Sequence, residues 1–170
     1  MQEVMIDIET LSTTPGGIIH QIGAMTFEAR SGRCDAPLFL QPDIDDCLTC
    51  GLTVDQATVD WWAGKGGVSQ SCPRPLRDCL KALTDYIDIH QPRQVWAWGA
   101  DFDRSMIDGA YKALGLEAPW PYWMTRDART VHKLAFPTWR PAKGEISHNA
   151  LQDCRDQIRR VADAYQKLGL

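Results

Sequence analysis

The stretch Met5-Ile6-Asp7-Ile8-Glu9-Thr10 constrains this chain more than any other. Read as a β-strand, it sends Val4, Ile6 and Ile8 to one face and Met5, Asp7 and Glu9 to the other. Carboxylates two residues apart on one face lie about 6.5 to 7 Å from each other. At an effective dielectric near 20, two such charges repel by about 2.4 kcal/mol. A cation between them removes that cost, and oxygen ligands of this kind suit magnesium or manganese. The competing reading is an edge strand with a solvated acidic face.

A chain of 170 residues suits one domain, residues 1–170, with a real hydrophobic core. No apolar run approaches a transmembrane length, and Met1-Gln2-Glu3 leads straight into the first strand without a leader-like pattern. The expectation is a cytoplasmic protein with no membrane partner. Six cysteines at uneven spacing would be reduced there. Cys47-Leu48-Thr49-Cys50 could open a zinc site with Cys72 and Cys79, but Cys79 falls on the apolar stripe of a predicted helix. A formal net charge of −4 argues against coating long nucleic acid by charge alone. It leaves room for gripping a few phosphates. Residues 126 to 143 carry Arg126, Arg129, Lys133, Arg140 and Lys143 against Asp127 only, so they form either a phosphate-facing patch or a solvated basic face.

Along the chain, a turn at Ser12 to Gly17 separates the first strand from a β-rich run, Ile18 to Phe27. Another turn at Ser31-Gly32 precedes a third strand around Leu38-Phe39-Leu40, which makes an antiparallel three-strand meander. Thr58 to Trp62 starts a short helix bearing Trp61 and Trp62. Leu76, Cys79, Leu80, Leu83 and Ile87 recur at helical spacing after Pro75. Gln94 to Trp98 reads as a strand, followed by a helix to about Leu114 that stops at Gly115. Tyr122 to Thr125 reads as a fifth strand, Asp127 to Ala135 as a helix, and Phe136 to Ser147 as a long loop. Leu151, Cys154, Ile158, Val161, Tyr165 and Leu168 mark a final helix. The predicted fold is α/β, a mixed five-stranded sheet flanked by helices.

Gly99-Ala100-Asp101-Phe102-Asp103 ends a strand and opens a helix, the kind of position where sites form in open α/β sheets. Asp101 suits the N-cap, and Asp103 in the first turn is either a dipole-stabilising acid or a site residue. His148 stands at the start of the final helix, with Asp153 about one turn further in. An imidazole there suits proton transfer near neutrality, and the carboxylate could hold a metal. His20, His90 and His132 have no partner at an informative spacing and read as surface residues.

Asp7-Ile8-Glu9-Thr10, then Phe102-Asp103 after Gly99-Ala100, then His148 with Asp153 five residues later, resemble the three motifs of the DEDDh branch of DnaQ-like 3′–5′ exonucleases, in their order and separation. Trp61-Trp62 and Arg126-Asp127-Ala128-Arg129-Thr130 further resemble a compact stand-alone bacterial and phage branch, labelled exoribonuclease or exodeoxyribonuclease VIII-like. Gly99 departs from the many relatives that carry asparagine there, which touches local hydrogen bonding and no carboxylate. The resemblance implies an RNase H-like fold and two Mg2+ or Mn2+ ions. Asp7 would bridge both ions, Glu9 and Asp153 complete one, and Asp103 support the other. It implies His148 as general base and the 3′ end of single-stranded RNA or DNA as substrate. Thr10 and Leu11 would contact the terminal nucleotide. Phe102, Trp61 or Trp62 would stack on bases or pack in the core, and Arg126 and Arg129 would contact phosphate or pair with Asp127. Relatives are often homodimers, for which Trp120, Trp123 and Trp139 could furnish an interface or else be core. The alternative is a nucleic-acid-binding module on the same fold that has lost catalysis.

Overall fold

The structure, a computed structural model, describes residues 2–142 and 147–170. Lys143, the last cation of the predicted basic segment, lies outside the described residues. The acidic first strand, β1 (Glu3–Thr10), pairs antiparallel with β2 (Ile19–Phe27), and β2 with β3 (Cys34–Leu40). Two short strands, β4 (Val95–Ala97) and β5 (Thr125–Asp127), extend the sheet in parallel on the other side, in the order β3-β2-β1-β4-β5. β1 is therefore central, which removes the edge-strand reading of Asp7 and Glu9.

The alternation read from β1 sorts its residues between two cores. Val4, Ile6 and Ile8 pack with Leu80 and Leu83 of α3 (Leu76–His90) and with Met106 and Ile107 of α4 (Ala100–Ala113). Met5 packs on the other face with Ala128 of α5 (Ala128–Ala135) and with Cys154, Ile158 and Val161 of α6 (Ala150–Leu168). Helices thus cover both faces of the sheet, and α1 (Ile44–Thr49) and α2 (Gln56–Ala63) complete the side that carries α3. None of the described helices is long and apolar enough to cross a membrane.

Several local expectations are corrected. Helix α1 was not predicted; Asp43 caps it, accepting from the Asp46 amide at 2.8 Å. Residues Tyr122–Met124 form a 3₁₀ turn, so β5 begins at Thr125. The N-cap of α4 is Gly99 at φ 96°, not Asp101. The acceptor comes from elsewhere: Asp127 Oδ2 takes the Ala100 amide at 2.8 Å, while its Oδ1 caps α5 through Thr130 N at 2.6 Å. His20 and His132 are buried, not on the surface, and His90 is half-buried against Tyr86. Cys47 and Cys79 are buried, and loss of hydration pushes their thiols up to about 12 and about 11; among the described residues the metal-ligating side chains converge at Asp7, Glu9 and Asp153 and not at the cysteines. Trp120 is buried, Trp139 packs against Trp98 and His132, and Trp123 is exposed.

Candidate active site

The geometry of the site starts from a glycine. Gly23 on β2 is the antiparallel partner of Asp7, and a Cβ there would sit 2.4 Å from the carbonyl carbon and oxygen of Ala150. Its absence lets the first turn of α6 lie directly on the sheet. Gln21 Oε1 accepts the Ala150 amide at 3.2 Å, and Asn149 caps the helix by accepting from Gln152 N at 3.0 Å. Asp153, one turn in, is thereby delivered to β1. One carboxylate oxygen from each of Asp7, Glu9 and Asp153 lies within 4.8 Å of the others. Asp103, in the first turn of α4, is buried beside Asp7, close enough for the Asp7 charge to raise its pKa.

Gln157, one turn beyond Asp153, donates to Asp7 Oδ1 at 2.6 Å. Ser147 donates to Asp153 Oδ1 from its amide at 3.3 Å and its hydroxyl at 3.0 Å. These neutral donors orient the carboxylates without cancelling their charge. Burial, opposed by the Gln157 hydrogen bond and reinforced by Asp153, pushes Asp7 up to about 7. Burial, then the charges of Asp7 and Asp153, pushes Glu9 up to about 8. Burial and then Asp7 hold Asp103 well above the usual carboxylate range. Clustered hard oxygen donors whose repulsion is unrelieved fit a divalent cation of the magnesium or manganese kind.

His148 completes the cluster, its Nδ1 3.9 Å from Glu9 Oε1. Its backbone is left-handed, at φ 54°, which L residues with side chains seldom adopt. The Trp61 ring meets the imidazole edge-on at 4.8 Å. Burial and then the Lys65 charge lower the His148 pKa, against a smaller opposing effect of Asp153, and so favour neutral imidazole near pH 7.

A cavity of about 710 Å³ is lined by all five predicted chemical residues, Asp7, Glu9, Asp103, His148 and Asp153, and by Phe102 and Arg129. The remaining predicted substrate contacts lie elsewhere. Trp62 is buried, with its Nε1 donating to the Thr10 carbonyl at 2.9 Å, so it is a core residue that braces β1. Trp61 is 44% exposed at the edge of the site. Thr10 and Leu11 are buried, Leu11 within the core. Arg126 turns away, donating to the carbonyls of Trp123 and Thr125 at 2.7 and 2.9 Å. Sequence reasoning missed Gly23, Gln21 and Gln157. Only Gln157 had a readable signal, as the polar residue one helical turn after Asp153.

The domain family described as 3'-5' exoribonuclease Rv2179c-like matches residues 2–165. No curated protein sequence matches the chain. Among solved structures, E. coli exonuclease I in complex with a dT13 oligonucleotide is similar with a TM-score of 0.72 at 11% identity, over 99% of this chain and 42% of that one. The nuclease domain of 3'hExo, a DEDDh family member bound to rAMP, gives 0.64 at 11% identity over 97% and 92%. Exonuclease X in complex with 5' overhanging duplex DNA gives 0.53 at 15% identity over 99% and 93%. This chain therefore spans about two fifths of the exonuclease I chains that it resembles. These likenesses show the RNase H-like fold, a mixed sheet between helices. With residues 2–165 of its 170 matched, the chain belongs to the 3'-5' exoribonuclease Rv2179c-like domain family.

Proposed function

We propose that the chain hydrolyses single-stranded nucleic acid from the 3′ end, releasing nucleoside 5′-monophosphates, with RNA the first candidate from the family description. The observation that carries this reading is the meeting of Asp7, Glu9 and Asp153 within 4.8 Å, with His148 beside Glu9. Asp7, Glu9 and Asp153, with Asp103 behind them, would hold two Mg2+ or Mn2+ ions. Bound there, such ions would supply Lewis acidity to a scissile phosphate and counter-charge for the attacking and departing oxygens.

The chain's own groups supply the rest. His148, kept neutral by its surroundings, accepts the proton of the attacking water; the water oxygen bonds to phosphorus, the P–O3′ bond breaks, and the 3′ oxygen leaves with a proton from solvent. Gln157 and Ser147 fix the carboxylate rotamers, so the acids need not reorganise when substrate arrives. Phe102, in the cavity wall, is placed to contact a terminal base.

Matched 3′-labelled and 5′-labelled RNA and DNA strands, digested with and without manganese, test the reading. Wild type is expected to release mononucleotides from the 3′ end only with the ion. Asp7→Asn and Asp153→Asn are each expected to abolish release while the far-UV circular dichroism stays native. Full turnover by either folded variant would overturn the assignment, and strand binding without cleavage by wild type would favour the inactive-module alternative.

A further inference from the structure

The cavity that holds the carboxylates is also lined by Trp98, Arg129, Lys133, Trp139, Arg140 and Arg160. Four cations from three different places in the chain thus gather beside an acidic cluster, in a protein whose formal net charge is −4. Arg129 and Lys133 stand one turn apart on α5, and neighbours at that spacing are about 5 to 6 Å apart between Cβ atoms. Arg140 follows α5, and Arg160 projects from α6.

Two indoles hold this group together. The Trp98 and Trp139 rings meet edge to face at 5.7 Å, and the Arg160 guanidinium lies 5.2 Å and 5.0 Å from them. The Lys133 ammonium is 5.6 Å from the Trp139 ring and donates to its carbonyl, which also accepts from Arg140 Nη1 at 2.9 Å. Arg129 Nη2 donates to the Trp98 carbonyl at 3.0 Å. Lys133 and Arg140 are anchored by the neutral Trp139 carbonyl, and Arg129 by that of Trp98, which aims the three toward the cavity they line.

A cation wall continuous with a phosphodiester-cleaving site has one natural occupant, the rest of the same strand. We propose that Arg129, Lys133 and Arg140 form a track for the phosphates upstream of the scissile bond, scaffolded by the Trp98–Trp139 pair, and that the enzyme therefore selects strands longer than a dinucleotide. The inference rests on the nuclease reading and narrows its substrate class. A dinucleotide with a 5′-hydroxyl has one phosphodiester, which the carboxylate end consumes, and nothing left for the wall.

The test compares wild type with the double variant Lys133→Gln/Arg140→Gln on 5′-hydroxyl dinucleotides and on eight-nucleotide strands of oligo-rU and oligo-dT. Binding of the labelled longer strands is followed by anisotropy across a salt series. For the variant, kcat/KM on the longer strand is expected to fall at least about tenfold further than on the dinucleotide, mainly through KM, as two lost phosphate contacts imply. The slope of log K against log salt should shrink by about 1.4, at about 0.7 per phosphate contact on a single strand. The charge-preserving pair Lys133→Arg/Arg140→Lys should restore both. An equal loss on both lengths, or an unchanged salt slope, would overturn the track. Wild type that cleaves neither length would overturn the nuclease reading instead, and the salt slope of binding would still decide the track. The oligo-rU and oligo-dT arms separate a track for RNA from one for single strands generally.

Discussion

His148 owes its position to neighbours more than to its own backbone. A histidine at φ 54° is held there by what surrounds it, and the nearest ring is Trp61, edge-on at 4.8 Å and itself covered by the Lys65 ammonium 5.2 Å away. An aromatic pair of this kind contributes about 0.5 to 1.5 kcal/mol. Trp61→Ala is therefore expected to lower kcat by about two- to tenfold with little change in KM, and Trp61→Phe to recover most of the loss. His148→Ala should lower kcat by about 10² to 10⁴ while metal-induced stabilisation persists, measured by single-turnover hydrolysis and thermal unfolding with manganese. The acids of β1 were legible as a pair because strand alternation is a local rule. Asp103 was not legible from spacing alone, since an acid in a first turn has an ordinary role, whereas His148 stood apart from the other histidines by its spacing to Asp153. The metal role of Asp103 came from resemblance, and the fold brings both residues to one cavity. Gln157 offered only its helical spacing from Asp153; its bond to Asp7 shows only once β1 lies beneath α6.

The long elements read well and their ends did not. Helix α3 buries every residue that the periodicity marked; α6 buries Cys154, Ile158 and Val161, with Leu151 and Tyr165 packed against them, while Leu168 is exposed and Asp153 and Gln157 interrupt the stripe at the site. The α4 cap was misassigned because its acceptor, Asp127, lies 27 residues away on a neighbouring strand, beyond any local signal. His20 was misread for a similar reason. β2 is buried along its whole length, so no alternation distinguishes inward from outward positions. The docking of α6 on β2 is the element-level contact on which the site depends, and Gly23 is its weakest point. A methyl group there meets backbone atoms of Ala150 at 2.4 Å, which cannot rotate aside. Gly23→Ala is expected to cost about 1 to 3 kcal/mol in urea unfolding, the range for overpacking. It should also displace Asp153 and weaken manganese-induced stabilisation. A variant that kept full metal response would show that α6 can shift without moving its carboxylate.

The folded molecule stores repulsion in its centre, and its stability should depend on pH accordingly. Burial in the folded state pushes Asp7 and Glu9 up to about 7 and about 8, above the ordinary carboxylate values of 3.8 and 4.5. Between those limits the folded state binds more protons than the unfolded one, so metal-free stability falls as pH rises through the window. His20 acts in the opposite direction. Buried against Trp62, with no hydrogen-bond partner at either ring nitrogen, it is held down to about 4 against 6.5, so its contribution is present above 6.5 and is lost as pH falls toward 4. Asp7 and Glu9, with Asp103 raised in the same sense, outweigh one imidazole, and between about pH 5 and about pH 8 the chelated protein should therefore lose melting temperature. A divalent ion replaces the protons that the acids would otherwise take up, and it binds the folded state selectively. Excess manganese should then raise the melting temperature more at about pH 8 than at about pH 5, flattening or reversing the slope. Asp7→Asn removes one of the opposed charges: it should stabilise the chelated protein at the alkaline end and shrink the response to manganese. Differential scanning calorimetry across that range, with chelator and with the ion, reads all three. A chelated wild type that became more stable toward alkaline pH would mean that the acids are already neutralised by groups of the chain itself, leaving no charge for an ion to relieve.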